Sequence, residues 1–400
     1  MWQYKAQFIS MILMITIGVG IFVGFNMEWV SIDINTKRFF KESHFADYRV
    51  VSELGFSEED AGNVENIKGV DKVSRYISVP ADVKEKDGDS LALTVTENFD
   101  VSSFLKVDGA DYDKKSEDGL WISDKYAAAN DISIGDKLTL VYKGITINTV
   151  VKGTVKSGEH LVCVRDETQL MPDYNTYGFG YISPAAYKKA LGRDYYPQLN
   201  IISDLSKEEI TDKTDDALGK TTLVLSKDEN SSYSAADGEM EEGKTMGSVL
   251  PVLFLLIAVL TMVTTMHRLT AKEKVQIGTL KALGFRDKRI LRHYTSYAFM
   301  IGIIGSVAGI GLGYLVARMI MGRDGTMGTY FDMPYWELRL PTFCIVILAV
   351  LILALTLIGF LSVKEMLKGT AADSLRPYAP KKMKKLLLEK TALWNRFSFG

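Results

Sequence analysis

The chain has 400 residues, of which 47% are hydrophobic, and its formal net charge is −2. Its two cysteines, Cys163 and Cys344, are too few for a disulfide framework, and a bond between them is not expected. The near-neutral total conceals a strong segregation of charge along the chain, and no nucleic-acid partner is predicted.

Four apolar runs are long enough to cross a bilayer, whose core of ~30 Å needs about 20 residues. These runs are 8–25, 248–266, 295–321 and 341–361. No small-residue cleavage site follows the first run, which favours a transmembrane helix over a signal peptide. We therefore predict an α-helical membrane protein with four transmembrane helices and an α+β domain inserted between helices 1 and 2.

The charge pattern predicts the topology. Residues 26–246 hold 41 Asp/Glu against 26 Lys/Arg, whereas 267–294 hold eight Lys/Arg against two acids and 363–400 nine against three. Short basic loops remain cytoplasmic, so 267–294 and the basic tail 363–400 are predicted inside, and 26–246 outside. The low cysteine content of the outer segment favours a bacterial protein. With the four predicted spans, this indicates a multi-pass protein of the bacterial cell membrane.

The chain thus divides into helix 1 with its N-terminus (1–25), the extracytoplasmic domain (26–246), a membrane domain (247–362) and the tail. Within the outer domain a capping-box pattern at Ser57 predicts a short helix, and a barrel-like lobe is expected around 118–160. Strands are predicted at 70–79, 90–96, 120–129 (running into a helix), 137–142, 145–155, 199–203 and 221–226, and a helix at 183–191. The polar, acidic segment 227–246 is interpreted as a linker or stalk.

Glycines spaced four apart occur in two of the predicted spans. Helix 3 carries Gly305, Gly309 and Gly313 on one face, and helix 1 carries Gly20 and Gly24. This spacing allows close helix–helix approach in lipid. A chance excess of glycine is the alternative, and it is as good an explanation for the pair in helix 1.

Two loops join the last three spans. The cytoplasmic one, 267–294, has the pattern of two short amphipathic helices broken at Gly284, available to a cytoplasmic partner. The outer one, 322–340, contains four aromatic residues that we expect at the level of the lipid headgroups. They are Tyr330, Phe331, Tyr335 and Trp336.

The segment AKEKVQIGTLKALGF, 271–285, resembles the signature of the FtsX-like and MacB-like permeases of ABC systems. The positions that match are Ile277, Gly278, Leu280, Lys281, Ala282, Leu283 and Gly284. Gln276 stands where the family usually has Glu, and Glu273 precedes it. The order of spans around one large outer domain also resembles the family, as does 119–144.

The resemblance implies that 267–294 docks on a cytoplasmic ABC ATPase dimer, which would bind ATP and Mg²⁺, so no cofactor is expected in this chain. Such permeases are mechanotransmitters, and a second permease half is needed. The segment 391–400 is similar to the start of a second membrane unit in two-unit relatives. Two interpretations follow: the N-terminal half of a longer permease, or a four-span subunit that dimerises.

Enzymatic and metal-binding chemistry is not predicted. No G-x-x-x-x-G-K-[ST] motif is present, and the four histidines (His44, His160, His267 and His293) lack metal-binding spacing. The acidic stretch 108–118 lacks the glycine and the final Glu of an EF-hand. We therefore expect neither a catalytic nor a metal site.

Two functions remain open. The chain couples a partner's ATP hydrolysis to export or extraction of an amphiphilic peptide, lipid or antibiotic, or it is a regulatory mechanotransmitter that controls a cell-wall hydrolase or a sensor kinase without transport.

Overall fold

The computed structural model describes residues 5–166, 168–192 and 194–367, so nearly all of the basic tail lies outside the described residues. Among them, four helices are long and apolar enough to cross a membrane. They are α1 (Lys5–Glu42), α6 (Ser231–Lys272), α8 (Asp287–Met321) and α10 (Thr342–Met366). An α+β domain lies between the first and second of them, which confirms the predicted fold class.

The first two membrane helices are longer than the apolar runs indicated. Helix α1 continues to Glu42, and α6 begins at Ser231. Of the two interpretations of 227–246, the linker is wrong, because a 3₁₀ turn, Lys227–Glu229, leads directly into α6, and the stalk stays a prediction. The polarity of this stretch suggested a linker, but Ala, Glu and Met are good helix formers. The two extensions pack together, since Asn26 Nδ2 donates to Gly247 O at 2.9 Å.

The described chain divides into two compact units. The large unit comprises Leu13–Ile257 and Gly305–Ala349, and the small unit holds the described remainder.

The large unit contains one sheet of ten strands, in the order β10-β1-β9-β2-β3-β8-β5-β7-β4, with β6 pairing with both β2 and β7. The strands are β1 (Tyr48–Val51), β2 (Val70–Val83), β3 (Ser90–Thr96), β4 (Phe104–Gly109), β5 (Gly119–Ser123), β6 (Lys137–Tyr142), β7 (Ile145–Ser157), β8 (Tyr177–Ile182), β9 (Gln198–Ser203) and β10 (Leu223–Ser226). The pairs β3·β8 and β5·β7 are parallel, and the others are antiparallel.

Six strands close a ring, because β6 bridges β2 and β7 while β3, β8 and β5 connect the same two strands on the other side. The ring is a small barrel. The expected lobe at 118–160 supplies β5, β6 and β7, and the barrel also includes β2, β3 and β8. Its interior is filled by buried aliphatic side chains such as Leu91, Leu120 and Leu140, together with Tyr126.

Short helices cover the sheet. They are α2 (Glu58–Glu65), α3 (Asp124–Ala129), α4 (Pro184–Leu191) and α5 (Lys207–Leu218). The capping box at Ser57 and the Ser183 cap with Pro184 at the first helical position are confirmed. Helices α2 and α5 cover the end of the sheet formed by β10, β1 and β9, where Val50, Leu199 and Ile201 are buried.

Candidate functional site

The cytoplasmic loop, which belongs to the small unit, folds as a helix and a tight turn. Helix α7 (Lys274–Ala282) ends at Leu283, and Gly284 follows at φ +84°, a conformation that glycine adopts without strain. Phe285 N donates to Leu280 O at 3.0 Å, which closes the turn. The second short helix expected after Gly284 is wrong as a separate element, because Asp287 begins the long helix α8.

The signature residues of the loop divide into an inner and an outer set. Ile277 and Gly278 are buried, and Leu280 is half-buried. Gln276, Ala282 and Leu283 are exposed, and Leu283 retains 71% of its accessible surface. The inner set anchors α7, and the outer set is available to a partner.

The two charged signature residues make contacts within the loop unit. Lys281 Nζ donates to Leu367 O at 2.7 Å and lies 3.2 Å from Asp287 Oδ1. The hydroxyl of Tyr294, on α8, donates to the Glu273 carboxylate. Because the Lys281 side chain is only 13% exposed, it holds α7, α8 and the end of α10 together.

Residues outside the signature complete the exposed turn. Phe285 is exposed, and the Arg289 guanidinium lies 5.6 Å from its ring centre. With Leu283, Gly284 and Arg286 these two residues line a surface depression of about 500 Å³. The loop thus presents an apolar tip surrounded by arginine, which is suited to a groove with acidic margins. The basic content of 267–294 was visible in the sequence, but Phe285 has no periodic signal that separates it from a buried residue.

In the large unit, α1 and α8 approach closely through glycine. A Cβ added to Gly309 would lie 2.5 Å from Val19 Cβ, and one added to Gly313 would lie 2.7 Å from Val23 Cβ. From the other side, Gly20 and Gly24 face Leu312 and Val316. Gly305 is buried and its carbonyl accepts a 3.4 Å hydrogen bond from the Thr16 hydroxyl. Small residues therefore allow the two backbones to approach.

The outer loop between α8 and α10 contains a short helix, α9 (Thr326–Tyr330). Phe331 is fully buried in a cluster with residues of α1 and α6, so its expected place at the lipid headgroups is wrong. Tyr335 stacks on the Arg38 guanidinium at 3.8 Å. These aromatic residues bind the loop to the extended helices, because α1 and α6 extend far enough to meet it.

Within the described residues, no group of three or more His, Cys, Asp or Glu side chains is arranged for a metal ion. Cys163 and Cys344 are both buried free thiols.

Comparison with known proteins agrees with this architecture. Residues 248–371 match the family model described as FtsX-like permease C-terminal. An uncharacterized ABC transporter permease of Methanocaldococcus jannaschii is 25% identical over 284 residues, which cover 68% of each chain. In the described residues, four helices are long and apolar enough to cross a membrane, and an α+β domain lies between the first and second of them. The chain is thus similar to permeases of ABC transport systems, and its residues 248–371 are similar to the FtsX-like permease family.

Two solved structures are also similar to this chain. The extracellular domain of the noncanonic ABC-type transporter YknZ from Gram-positive bacteria matches at 14% identity and a TM-score of 0.31, covering 44% of this chain and 90% of that one. The periplasmic region of MacB from Actinobacillus actinomycetemcomitans matches at 10% identity and a TM-score of 0.31, covering 50% and 95% respectively.

Proposed function

We propose that this permease is a mechanotransmitter. The turn 283–286 docks on a cytoplasmic ABC ATPase dimer, and ATP-driven closing of that dimer moves the membrane helices and the extracytoplasmic domain. The observation that carries the proposal is the exposed tip of Leu283 and Phe285, which is held out by a buried base of Ile277, Gly278 and Lys281. Burying an exposed apolar tip on a partner is favourable at about 25 cal/mol per Å².

The loop is built to transmit a displacement rather than to absorb it. Lys281 connects α7 to the end of α10, and Glu273 is hydrogen bonded to Tyr294 of α8. Helix α6 runs from Ser231 to Lys272 and contains Pro251, which removes one backbone donor from its hydrogen-bond ladder. Helix α8 runs from Asp287 to Met321 without a proline, so α8 is the helix that carries a push from the loop towards its far end.

We propose that the output is export or extraction of an amphiphilic peptide, lipid or antibiotic, with a second permease half completing the membrane unit. A regulatory output, in which the outer domain controls a hydrolase or a sensor kinase, uses the same coupling. The two outputs differ in the client that the outer domain binds.

The test is co-purification in mild detergent of the intact protein with its P-loop ATPase, followed by assay of ATPase activity in the complex. Leu283→Asp is expected to reduce recovery of the ATPase at least tenfold, because a charge replaces the apolar tip. Leu54→Asp is the matched control, since Leu54 is also largely exposed, at 83% against 71% for Leu283, but lies in the outer domain. Equal recovery with both variants would refute docking at the turn.

A further inference from the structure

The outer loop between α8 and α10 contains a carboxylate with no access to water. The Asp332 side chain is 0% exposed, and its backbone N–H donates to Leu161 O at 2.7 Å. Its neighbours Phe331 and Met333 are buried as well. This segment is therefore inserted into the large unit and does not lie on its surface.

The Asp332 carboxylate meets two lysines, one on the barrel strand β7 and one on the helix α3. Lys156, on β7, donates to Asp332 Oδ1 and lies 2.7 Å from Asp124 Oδ1. Lys125, on α3, lies 3.9 Å from Asp332 Oδ1. Two acids and two bases thus form a cluster in which Asp332 and Lys156 are buried, whereas Asp124 and Lys125 are partly exposed. The second carboxylate oxygen of Asp332, Oδ2, has no hydrogen-bond partner among the described residues.

Lys125 also binds the loop backbone. Its ammonium donates to Gly328 O at 2.8 Å and to Phe331 O at 2.9 Å. These two carbonyls belong to α9 and to the residue after it, so the Lys125 side chain fixes the end of this short helix. The loop is thereby held at three separate points: its backbone, its carboxylate and its helix end.

This arrangement is costly for a contact that needed only to be stable. Moving charges out of water carries a large penalty, and burial accordingly raises the pKa of the Asp332 carboxyl while Lys156 and Lys125 oppose that rise. An apolar contact holds two surfaces together but lets them slide, whereas a hydrogen-bonded ion pair permits a single register. The cluster therefore fixes where the loop sits on the barrel.

The loop lies where the long helices meet the barrel. Met321, the last residue of α8, shares a buried cluster with Phe331, with Ile32 and Phe39 of α1, and with Ala236 of α6. Met321 precedes Asp332 by eleven residues, so a displacement of α8 would reach this cluster before it reaches the ion pair. The ion pair then connects the cluster to β7, a strand that forms part of the closed barrel.

We propose that the Lys156–Asp332 ion pair, supported by Lys125, is the joint that couples the outer end of α8 to the extracytoplasmic barrel, so that loop and barrel move as one body during the ATPase cycle. Lys156 and Asp332 are positioning residues in this scheme. The inference rests on the proposed mechanotransmission, and the following measurements separate the failure of one from the failure of the other.

The first measurement places spin labels across the joint in the complex with the ATPase, at Val107→Cys on β4 and Thr329→Cys on α9. Both positions are exposed, and the native cysteines are buried. The expected result is one narrow distance distribution that is the same without nucleotide and in an ATP-trapped state. A nucleotide-dependent change in this distance would refute the proposal that the joint is rigid. This first measurement uses no substitution at Lys156 or Asp332.

The second measurement breaks the joint. Asp332→Asn and Lys156→Met should broaden the 107–329 distribution and reduce the nucleotide-driven movement of the barrel at least fivefold. That movement is read from labels at Leu260→Cys on α6 and Leu170→Cys in the outer domain, while stimulation of the ATPase stays within twofold. Lys189→Met is the control, because it removes an exposed ion pair with Glu117 of 2.7 Å in the same domain.

The outcomes are distinct. Barrel movement that persists in both Asp332→Asn and Lys156→Met, even if their thermal stability falls, would show that the ion pair is only a structural contact. That result would refute its role as the joint. Absence of any nucleotide-driven movement in the unaltered protein would instead refute the proposed function.

Discussion

Helix α8 connects two loops of opposite character. At its start, the cytoplasmic loop exposes its apolar residues, and Leu283 is 71% exposed. At its end, the outer loop buries them, and Phe331 is fully enclosed. Both loops are short and contain glycine, but the inner one is strongly basic and the outer one is mixed in charge. The difference lies in what surrounds them: the large unit encloses Phe331 of the outer loop, whereas Leu283 in the turn of the inner loop is exposed.

This contrast indicates a division of labour along one helix. A loop that must bind and release a partner keeps its contact surface accessible, and a loop that must pass displacement onward is fixed by packing and charge. The proposed coupling then depends on this difference between the exposed inner loop and the buried outer loop. Variants that remove the difference should abolish the coupling.

The strongest test of the contrast is the same substitution at both ends. Phe331→Ala should lower the free energy of unfolding by about 3–5 kcal/mol, because it opens a cavity in a packed cluster. Phe285→Ala should cost less than about 1 kcal/mol, since the ring is exposed. Thermal or denaturant unfolding in detergent measures both, and equal losses would contradict the assignment of buried and exposed loops.

The helix that joins the two loops offers the next test. Gly309→Ala places a Cβ 2.5 Å from Val19 Cβ, so α1 and α8 must separate, at a cost of about 2 kcal/mol. Gly311 has open space around it, and Gly311→Ala should be neutral or should stabilise the helix by up to about 1 kcal/mol. Unfolding of the two variants in the same detergent checks this; a loss at both positions would point to a general intolerance of side chains in α8.

Charge reversal sharpens the account of the inner loop. Lys281→Glu puts an acid beside Asp287 and removes the hydrogen bond to Leu367 O, so α7 loses the contacts that hold it against α8 and the end of α10. We expect about a tenfold loss of ATPase stimulation, or ~1.4 kcal/mol, with normal membrane insertion. Lys288→Glu, on the same loop but exposed, is the control. Stimulation that is unchanged in Lys281→Glu would remove this residue from the coupling path.

A final, small effect is expected in the free energy of unfolding, which should depend on pH through His160 in the outer domain. Burial lowers the pKa of His160 from its ordinary 6.5 to about 4, and its ring stacks on Phe179. The unfolded chain therefore takes up the proton first as the pH falls, so stability present above pH 6.5 is lost between pH 6.5 and 4. The expected loss is about 1–2 kcal/mol, because part of the residue is exposed.

His160→Phe should flatten the unfolding profile in this pH window relative to the unaltered protein. A profile that His160→Phe does not change would show that this ring is not the titrating group.

Much of this architecture was predictable from the sequence. The apolar runs indicated four spans because a bilayer sets a length, and the strands at 90–96 and 137–142 were found because turns bound them. Strand β8 was missed, since YGFGYI is buried at every position and has no alternation to detect. The helical extensions were missed because their partners come from distant parts of the chain.

The candidate site, too, was only partly predictable from the sequence. The inner loop was visible as a local pattern of charge and signature residues. The cluster at Asp332 was invisible, because its charges lie on β7, α3 and the outer loop, far apart in the chain. Only the closed barrel brings Lys125 and Lys156 to one place.

The central claim is that force applied at the inner loop moves the outer domain. The measurement that tests it most directly is the distance between spin labels at Leu260→Cys and Leu170→Cys in the complex with the ATPase, compared between the nucleotide-free and ATP-trapped states. The account predicts a shift in that distance, and predicts that Leu283→Asp abolishes it. A distance that is the same in both states, in a complex that hydrolyses ATP, would contradict mechanotransmission by this chain.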